Sequence, residues 1–100
     1  ENLKFKLNEK ITSKVKSSFK EKEKKSLLIL AAILKKKKFN EKDLFNEFYT
    51  ISKNLNLEPK IFFKVAYKSL VNKEKGPKLA PFILEIGQEK VSKIFYQLKQ

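Results

Sequence analysis

The sequence predicts an all-α fold, a small array of about five amphipathic helices. Apolar residues recur at the 3.6-residue spacing of helices, whereas strand-like alternation flanked by turn signals is missing. Only two glycines and three prolines occur, all in the second half of the chain. The sequence is 41% hydrophobic and contains nine Phe, which is enough apolar material for a core and argues against disorder.

The first eighteen residues are expected to form a lead-in segment, and the helical domain is assigned to residues 19–100. Alternating apolar residues indicate a short extended stretch: Leu3, Phe5 and Leu7. Ile11 and Val15 have helical spacing, but the serines and the threonine around them disfavour a helix.

The first two helices are predicted from apolar spacing and capping residues. One begins at about Glu21 and ends in Lys35–Lys38, where cations suit the negative end of the helix dipole. Its inward face contains Leu27, Leu30, Ala31 and Leu34. The next helix takes Asn40 as its N-cap and ends near Asn54 and Asn56, which tolerate left-handed geometry. Its inward face is predicted to contain Leu44, Phe45, Phe48, Ile51 and Leu55.

A third helix is predicted to begin at Pro59, because proline is accepted in the first turn of a helix. Its inward face contains Phe62, Val65, Ala66 and Ser69. Its outward face is predicted to carry Lys60, Lys64, Tyr67 and Lys68. Basic residues and an aromatic ring would therefore share one outward surface.

The last two helices follow a break at Gly76-Pro77. The first is predicted to be short and to end at Gly87, acting as C-cap. Its apolar residues are Leu79, Phe82, Ile83 and Ile86. The final helix runs from about Glu89, with Val91, Ile94, Phe95 and Leu98 facing inward.

The charge balance is strongly basic. All 24 cationic residues are lysines, against 11 acidic residues, and the formal net charge is +13. Such an excess predicts attraction to phosphate backbones or to anionic lipid headgroups. The alternative is a lysine-rich surface of the kind that an AT-rich genome produces, without a specific ligand.

The composition disfavours catalysis, zinc binding and membrane insertion. Without His or Cys the chain has no imidazole base or thiol nucleophile, and a zinc site would need carboxylates alone. Its two glycines cannot form a glycine-rich phosphate loop. The longest apolar run, Leu27 to Leu34, has eight residues, too few to span a bilayer. A cytoplasmic binding domain without a cofactor of its own is expected.

The stretch from Phe62 to Leu98 combines several short patterns. Paired Phe and a basic residue begin a helix, and a Gly-Pro-basic-Leu segment, a Pro-Phe helix and an Ile-Gly turn follow. The residues are Phe62-Phe63-Lys64, Tyr67, Gly76-Pro77-Lys78-Leu79, Pro81-Phe82 and Ile86-Gly87. In this combination the stretch resembles the C-terminal part of class I lysyl-tRNA synthetases. Glutamyl-tRNA synthetases, which carry a related pattern, are the near alternative. Asn72 stands where the family often has Gly, and Lys64 where it commonly has Arg.

The resemblance implies a helical domain that binds the anticodon of tRNA(Lys). The parent protein would attach lysine to tRNA, using ATP and Mg²⁺ in a catalytic domain of the same polypeptide that this sequence does not contain. A monomer without membrane association is expected.

Recognition of an anticodon loop needs cations for phosphates and rings on which bases can stack. The predicted tRNA-binding residues are Lys60, Lys64, Tyr67, Lys68, Lys73, Lys75 and Lys78. Pro59, Gly76, Pro77 and Gly87 are expected to shape the turns. Two other classes compete: a basic helical module for an acidic partner or membrane surface, and a small DNA-binding protein. The second is disfavoured because no helix-turn-helix with a polar recognition helix is visible.

Overall fold

In the computed structural model, which describes residues 7–8 and 10–99, the chain folds into helices, and no strand occurs among those residues. The helices are α1 (Ser13–Ser18), α2 (Glu21–Lys36), α3 (Glu41–Asn54), α4 (Pro59–Val71), α5 (Leu79–Ile86) and α6 (Gln88–Tyr96), followed by a 3-10 turn over Gln97–Lys99. The all-α prediction is confirmed, and the described residues contain six α-helices where about five were expected. In the described part of the chain, no helix combines the length and apolarity needed to cross a bilayer.

Helix α1 is the element that the sequence did not predict. Thr12 caps it, because its Oγ1 accepts a hydrogen bond from the Val15 N–H at 3.2 Å. Ile11 and Phe19 flank the helix and are buried. The threonine that argued against a helix instead begins one, and the two flanking apolar residues fix it to the core.

Leu7 and Asn8, which precede α1, lie against the folded core and the end of α4. Leu7 packs on the core, and the Asn8 N–H donates to the Leu70 carbonyl at 2.5 Å. Leu3 and Phe5, the other members of the predicted extended stretch, are outside the described residues. The later part of the lead-in is therefore packed against the helical domain.

Helix α2 occupies the centre and contacts α3, α4 and α6. Its predicted inward face is confirmed, since Leu27, Leu30, Ala31 and Leu34 are all buried. The Ser92 hydroxyl of α6 donates to the Ala31 carbonyl at 2.7 Å in this interior. Helices α2 and α6 therefore form the main packed pair of the fold.

A glutamine joins the end of α2 to the start of α6. The Gln88 amide nitrogen donates to the carbonyls of Leu34 at 3.0 Å and Lys37 at 2.7 Å. Its amide oxygen accepts from the Phe39 N–H at 2.9 Å. The last carbonyls of a helix have no partner within the helix, so Gln88 supplies what α2 lacks at its C-terminal end.

Helix α3 confirms its predicted cap and only part of its predicted face. Asn40 Oδ1 accepts from the Asp43 N–H at 2.8 Å. Leu44, Phe48 and Ile51 are buried, whereas Phe45 is 46% exposed. The inward assignment of Phe45 is wrong, because this residue lies at the edge of the apolar stripe and faces an open groove rather than a covering helix.

The predicted turn residues lie where helices begin and end. Asn56 adopts the predicted left-handed geometry after α3, with a φ of 57°. Asn72, for which no such geometry was predicted, does the same after α4, with a φ of 61°. Pro59 is the first residue of α4. Gly87 has a φ of 112° and separates α5 from α6, as its predicted capping role requires.

Candidate nucleic-acid interface

The Gly76-Pro77 bend carries the chain from α4 to α5 across the ring of Tyr67. Tyr67 is 9% exposed, and its hydroxyl donates to the Pro77 carbonyl. A Cβ on Gly76 would lie 2.9 Å from Tyr67 Cδ1, so only glycine permits this approach without a shift. Tyr67 thereby stabilises the bend through a ring contact with Gly76 and a hydrogen bond to Pro77.

The prediction that Tyr67 lies on an outward face is therefore wrong. Helical spacing alone places it beside the lysines of α4, but the returning chain covers that side of the helix. Burial raises the pKa of the Tyr67 phenol above its ordinary value of 10.0 by desolvation. Its ring packs under Gly76 and is not free to stack on a base.

Three of the predicted lysines come together beside the bend. Lys60 and Lys64 lie one turn apart on α4 and are exposed. Together with Lys75, they line a shallow concavity of about 700 Å³ that also borders Phe63 and Gly76. We call this concavity the basic face.

The other predicted lysines lie around the basic face. Lys68 is half-buried and, together with Lys64 and Lys20 at the α2 N-terminus, lines a small cavity. Lys73 is exposed in the loop after α4. Lys78 is exposed at the N-terminus of α5, across the bend from Lys75. The bend therefore lies between Lys60, Lys64 and Lys75 on one side and Lys78 on the other.

Two carboxylates, those of Glu58 and Glu74, offset part of the charge of the three lysines that line the basic face. The Glu74 carboxylate lies 3.8 Å from Lys64 Nζ and 4.0 Å from Lys68 Nζ. All three side chains are substantially accessible to solvent, so these ion pairs are weak and readily exchanged for another anion. Glu58 is the other carboxylate that lines the concavity. A phosphate can therefore compete for these lysines.

A second groove lies between α3, α4 and the start of α5. Its aromatic lining consists of Phe45, Tyr49, Phe63 and the largely buried Tyr67. Lys42 and Lys78 also line it, and its volume is about 500 Å³. We call it the aromatic groove. Sequence reasoning missed it because Phe45 was assigned to the core. The signal was the four-residue spacing of Phe45 and Tyr49, which places both rings on one side of α3.

The basic face and the aromatic groove present lysine side chains and aromatic rings, which are groups suited to binding an anionic ligand that contains flat rings. In the part of the chain that the structure describes, no three His, Cys, Asp or Glu residues are grouped so that they could hold a metal ion. Lysines beside exposed aromatic rings are the combination with which proteins hold single-stranded nucleic acids.

Known proteins resemble the chain over nearly its full length, although no family model matches it. The lysine–tRNA ligase of Borreliella burgdorferi is 44% identical over 96 residues, which covers 94% of this chain and 18% of that protein. The lysine–tRNA ligase of Borrelia garinii subsp. bavariensis is 49% identical over 77 residues, which covers 75% of this chain and 15% of that protein. The lysine–tRNA ligase of Methanocaldococcus jannaschii is 29% identical over 83 residues, which covers 83% of this chain and 16% of that protein.

The chain thus spans less than a fifth of the length of these relatives. The resemblance to lysyl-tRNA synthetases that residues 62–98 predicted is confirmed, and it extends well beyond those residues.

Proposed function

We propose that this chain, which is homologous to a domain-sized part of lysine–tRNA ligases, binds the anticodon region of tRNA(Lys). It would act as the C-terminal domain of a monomeric cytoplasmic enzyme. That enzyme attaches lysine to tRNA, using ATP and Mg²⁺ in a catalytic domain of the same polypeptide. The observation that carries the proposal is that Lys64, Lys75 and Lys78 are exposed on both sides of the Gly76-Pro77 bend, which Tyr67 holds in place.

The lysines are suited to the phosphates of a single-stranded loop. Lys64 provides a positive charge without the planar fork of an arginine, so it favours a phosphate oxygen over paired contacts to a base edge. Tyr67 and Gly76 hold the bend, which limits the movement of Lys75 and Lys78. A site that is ordered before binding loses less conformational entropy when the RNA binds.

Charge reversal tests the proposal. Lys64→Glu and Lys78→Glu should each weaken binding of tRNA(Lys) more than Lys22→Glu and Lys36→Glu, which make the same change on exposed positions of α2. Each lost phosphate contact should also reduce the slope of log affinity against log salt by about 0.7–0.9. Fluorescence anisotropy of labelled tRNA across a salt series measures both quantities.

Competition between tRNAs tests whether binding depends on the anticodon sequence. An unlabelled tRNA that differs from tRNA(Lys) only at the anticodon should displace the label less effectively than tRNA(Lys). Equal displacement, equal losses in all four charge-reversal variants, or equally tight binding of heparin would instead indicate a basic module without anticodon recognition.

A further inference from the structure

Two aromatic side chains of α3 remain in contact with solvent. Among the described residues, Phe45 at 46% exposure and Tyr49 at 42% are the large hydrophobic side chains that stay exposed. Leaving such rings in water forgoes the free energy that their burial would contribute. Both line the aromatic groove, so this surface needs an explanation other than stability.

The exposed rings are held in place by buried ones. The ring centroids of Phe45 and Tyr49 are 5.1 Å apart in an edge-to-face arrangement, and Tyr49 meets Phe63 at 6.0 Å. Phe63 in turn contacts the buried Phe48 at 5.7 Å and Phe62 at 5.8 Å. Such pairs fix ring orientation, so the groove presents a preformed aromatic surface.

The charges at the rim indicate what the groove accepts. Lys42 and Lys78 flank the rings, while Glu41 is the carboxylate in the lining. Phe63 and Tyr67 border both the aromatic groove and the basic face, so the two surfaces adjoin. An apolar floor beside two cationic areas is complementary to a ligand with flat rings and phosphates.

We propose that the aromatic groove binds an unstacked nucleobase of a single-stranded RNA loop, with Phe45 and Tyr49 as the stacking surfaces. Lys42 and Lys78 contact the phosphates on either side of that base. This proposal rests on the proposed function and identifies where bases, as distinct from backbone, meet the domain. The groove thus takes the stacking role that the sequence had assigned to Tyr67.

The test uses the 100-residue chain and two RNA hairpins. One is the anticodon stem-loop of tRNA(Lys), and the other has the same stem closed by an abasic loop, which keeps the phosphates and removes the bases. Phe45→Ala and Tyr49→Ala should each weaken binding of the normal loop by about 5- to 150-fold, the range measured for loss of one base–aromatic stack. Neither change should alter affinity for the abasic loop or the salt dependence of binding.

Phe45→Leu is the matched control, because it keeps apolar surface while removing the ring. Under the proposal it behaves like Phe45→Ala. Affinity retained by Phe45→Leu, or an equal loss on both hairpins, would overturn stacking, as would a dimer in light scattering that Phe45→Ala dissociates without any effect on RNA binding. Circular dichroism verifies that each variant folds.

The outcomes separate the two proposals. If the aromatic variants bind RNA normally while Lys64→Glu weakens it, the groove is not a base pocket and the proposed function stands. If the unaltered chain does not distinguish the stem-loop from heparin, the proposed function itself is lost.

Discussion

Tyr67 lies between the lysines of the basic face and Lys78, yet its ring packs into the bend. The sequence placed it outward because it is one helical step, about 100°, away from the buried Ala66. Phe45 is one such step from Leu44 and was placed inward. At the margin of an apolar stripe, the neighbouring segment decides whether a side chain is covered. Here the returning bend covers Tyr67, and nothing in the described structure covers Phe45 in the same way.

The support that Tyr67 gives to the bend can be measured by its dependence on pH. Tyr67→Phe removes the hydrogen bond to Pro77 and should lower the free energy of unfolding by about 0.5–1.5 kcal/mol at neutral pH. Burial raises the folded-state pKa of Tyr67 above 10.0, so its stabilising contribution is present below pH 10 and is lost as the pH rises through the folded pKa.

The difference between the free energies of unfolding of the two proteins, measured by urea unfolding, should therefore stay constant from about pH 8 to about pH 10 and shrink from there to about pH 11. Titration of the lysines affects both proteins equally and cancels in the comparison. A difference that stays constant over this range would mean that the phenol is not buried in solution.

Asn72 shows that a departure from a family pattern can still satisfy the geometry of the backbone. It adopts left-handed φ and ψ of 61° and 27°, where glycine carries no steric cost and asparagine is the residue that tolerates the strain best. The sequence identified the position as unusual, and the backbone supplies the reason.

At the scale of elements, the sequence predicted most boundaries because they depend on local chemistry. Asn40, Pro59 and Gly87 act at helix ends through their own side chains or backbone preferences. The missed helix α1 depends on burial of Ile11 and Phe19 against distant residues. Helix propensity cannot report such long-range contacts, because it concerns only the local segment.

Gln88 joins the start of α6 to the end of α2 through hydrogen bonds that no local sequence pattern predicts. Gln88→Ala should lower the free energy of unfolding by about 1–3 kcal/mol, since the Leu34 carbonyl and the Phe39 N–H lose their partner in a partly buried setting and the exposed Lys37 carbonyl loses its partner as well. Lys93→Ala, on an exposed position of the same helix, should change it by less than about 0.5 kcal/mol. If urea unfolding gave the same decrease in the free energy of unfolding for Gln88→Ala and Lys93→Ala, water would be replacing the hydrogen bonds of the glutamine without a loss of stability.

For the whole molecule, the formal charge of +13 on 100 residues is the dominant electrostatic fact. Like charges repel in the compact state, and salt screens them over a Debye length that falls from about 30 Å at 0.01 M to about 8 Å at 0.15 M. The Tm should rise over this range, by about 4–8 °C if screening adds about 1 kcal/mol.

Replacement of Lys35–Lys38 by glutamines should reduce that rise, because it removes four adjacent charges from exposed positions. Differential scanning calorimetry would measure both proteins. A Tm that falls with added NaCl would show that attractive pairs outweigh the repulsion.

The three tyrosines occupy three different surroundings in a chain without tryptophan. Tyr49 is open to solvent in the aromatic groove, Tyr96 is half-buried, and Tyr67 is enclosed beneath the bend. Fluorotyrosine incorporation would therefore place one NMR reporter at each location without changing the length of the chain. A single fluorine spectrum could then follow occupancy of the groove and integrity of the bend as separate signals.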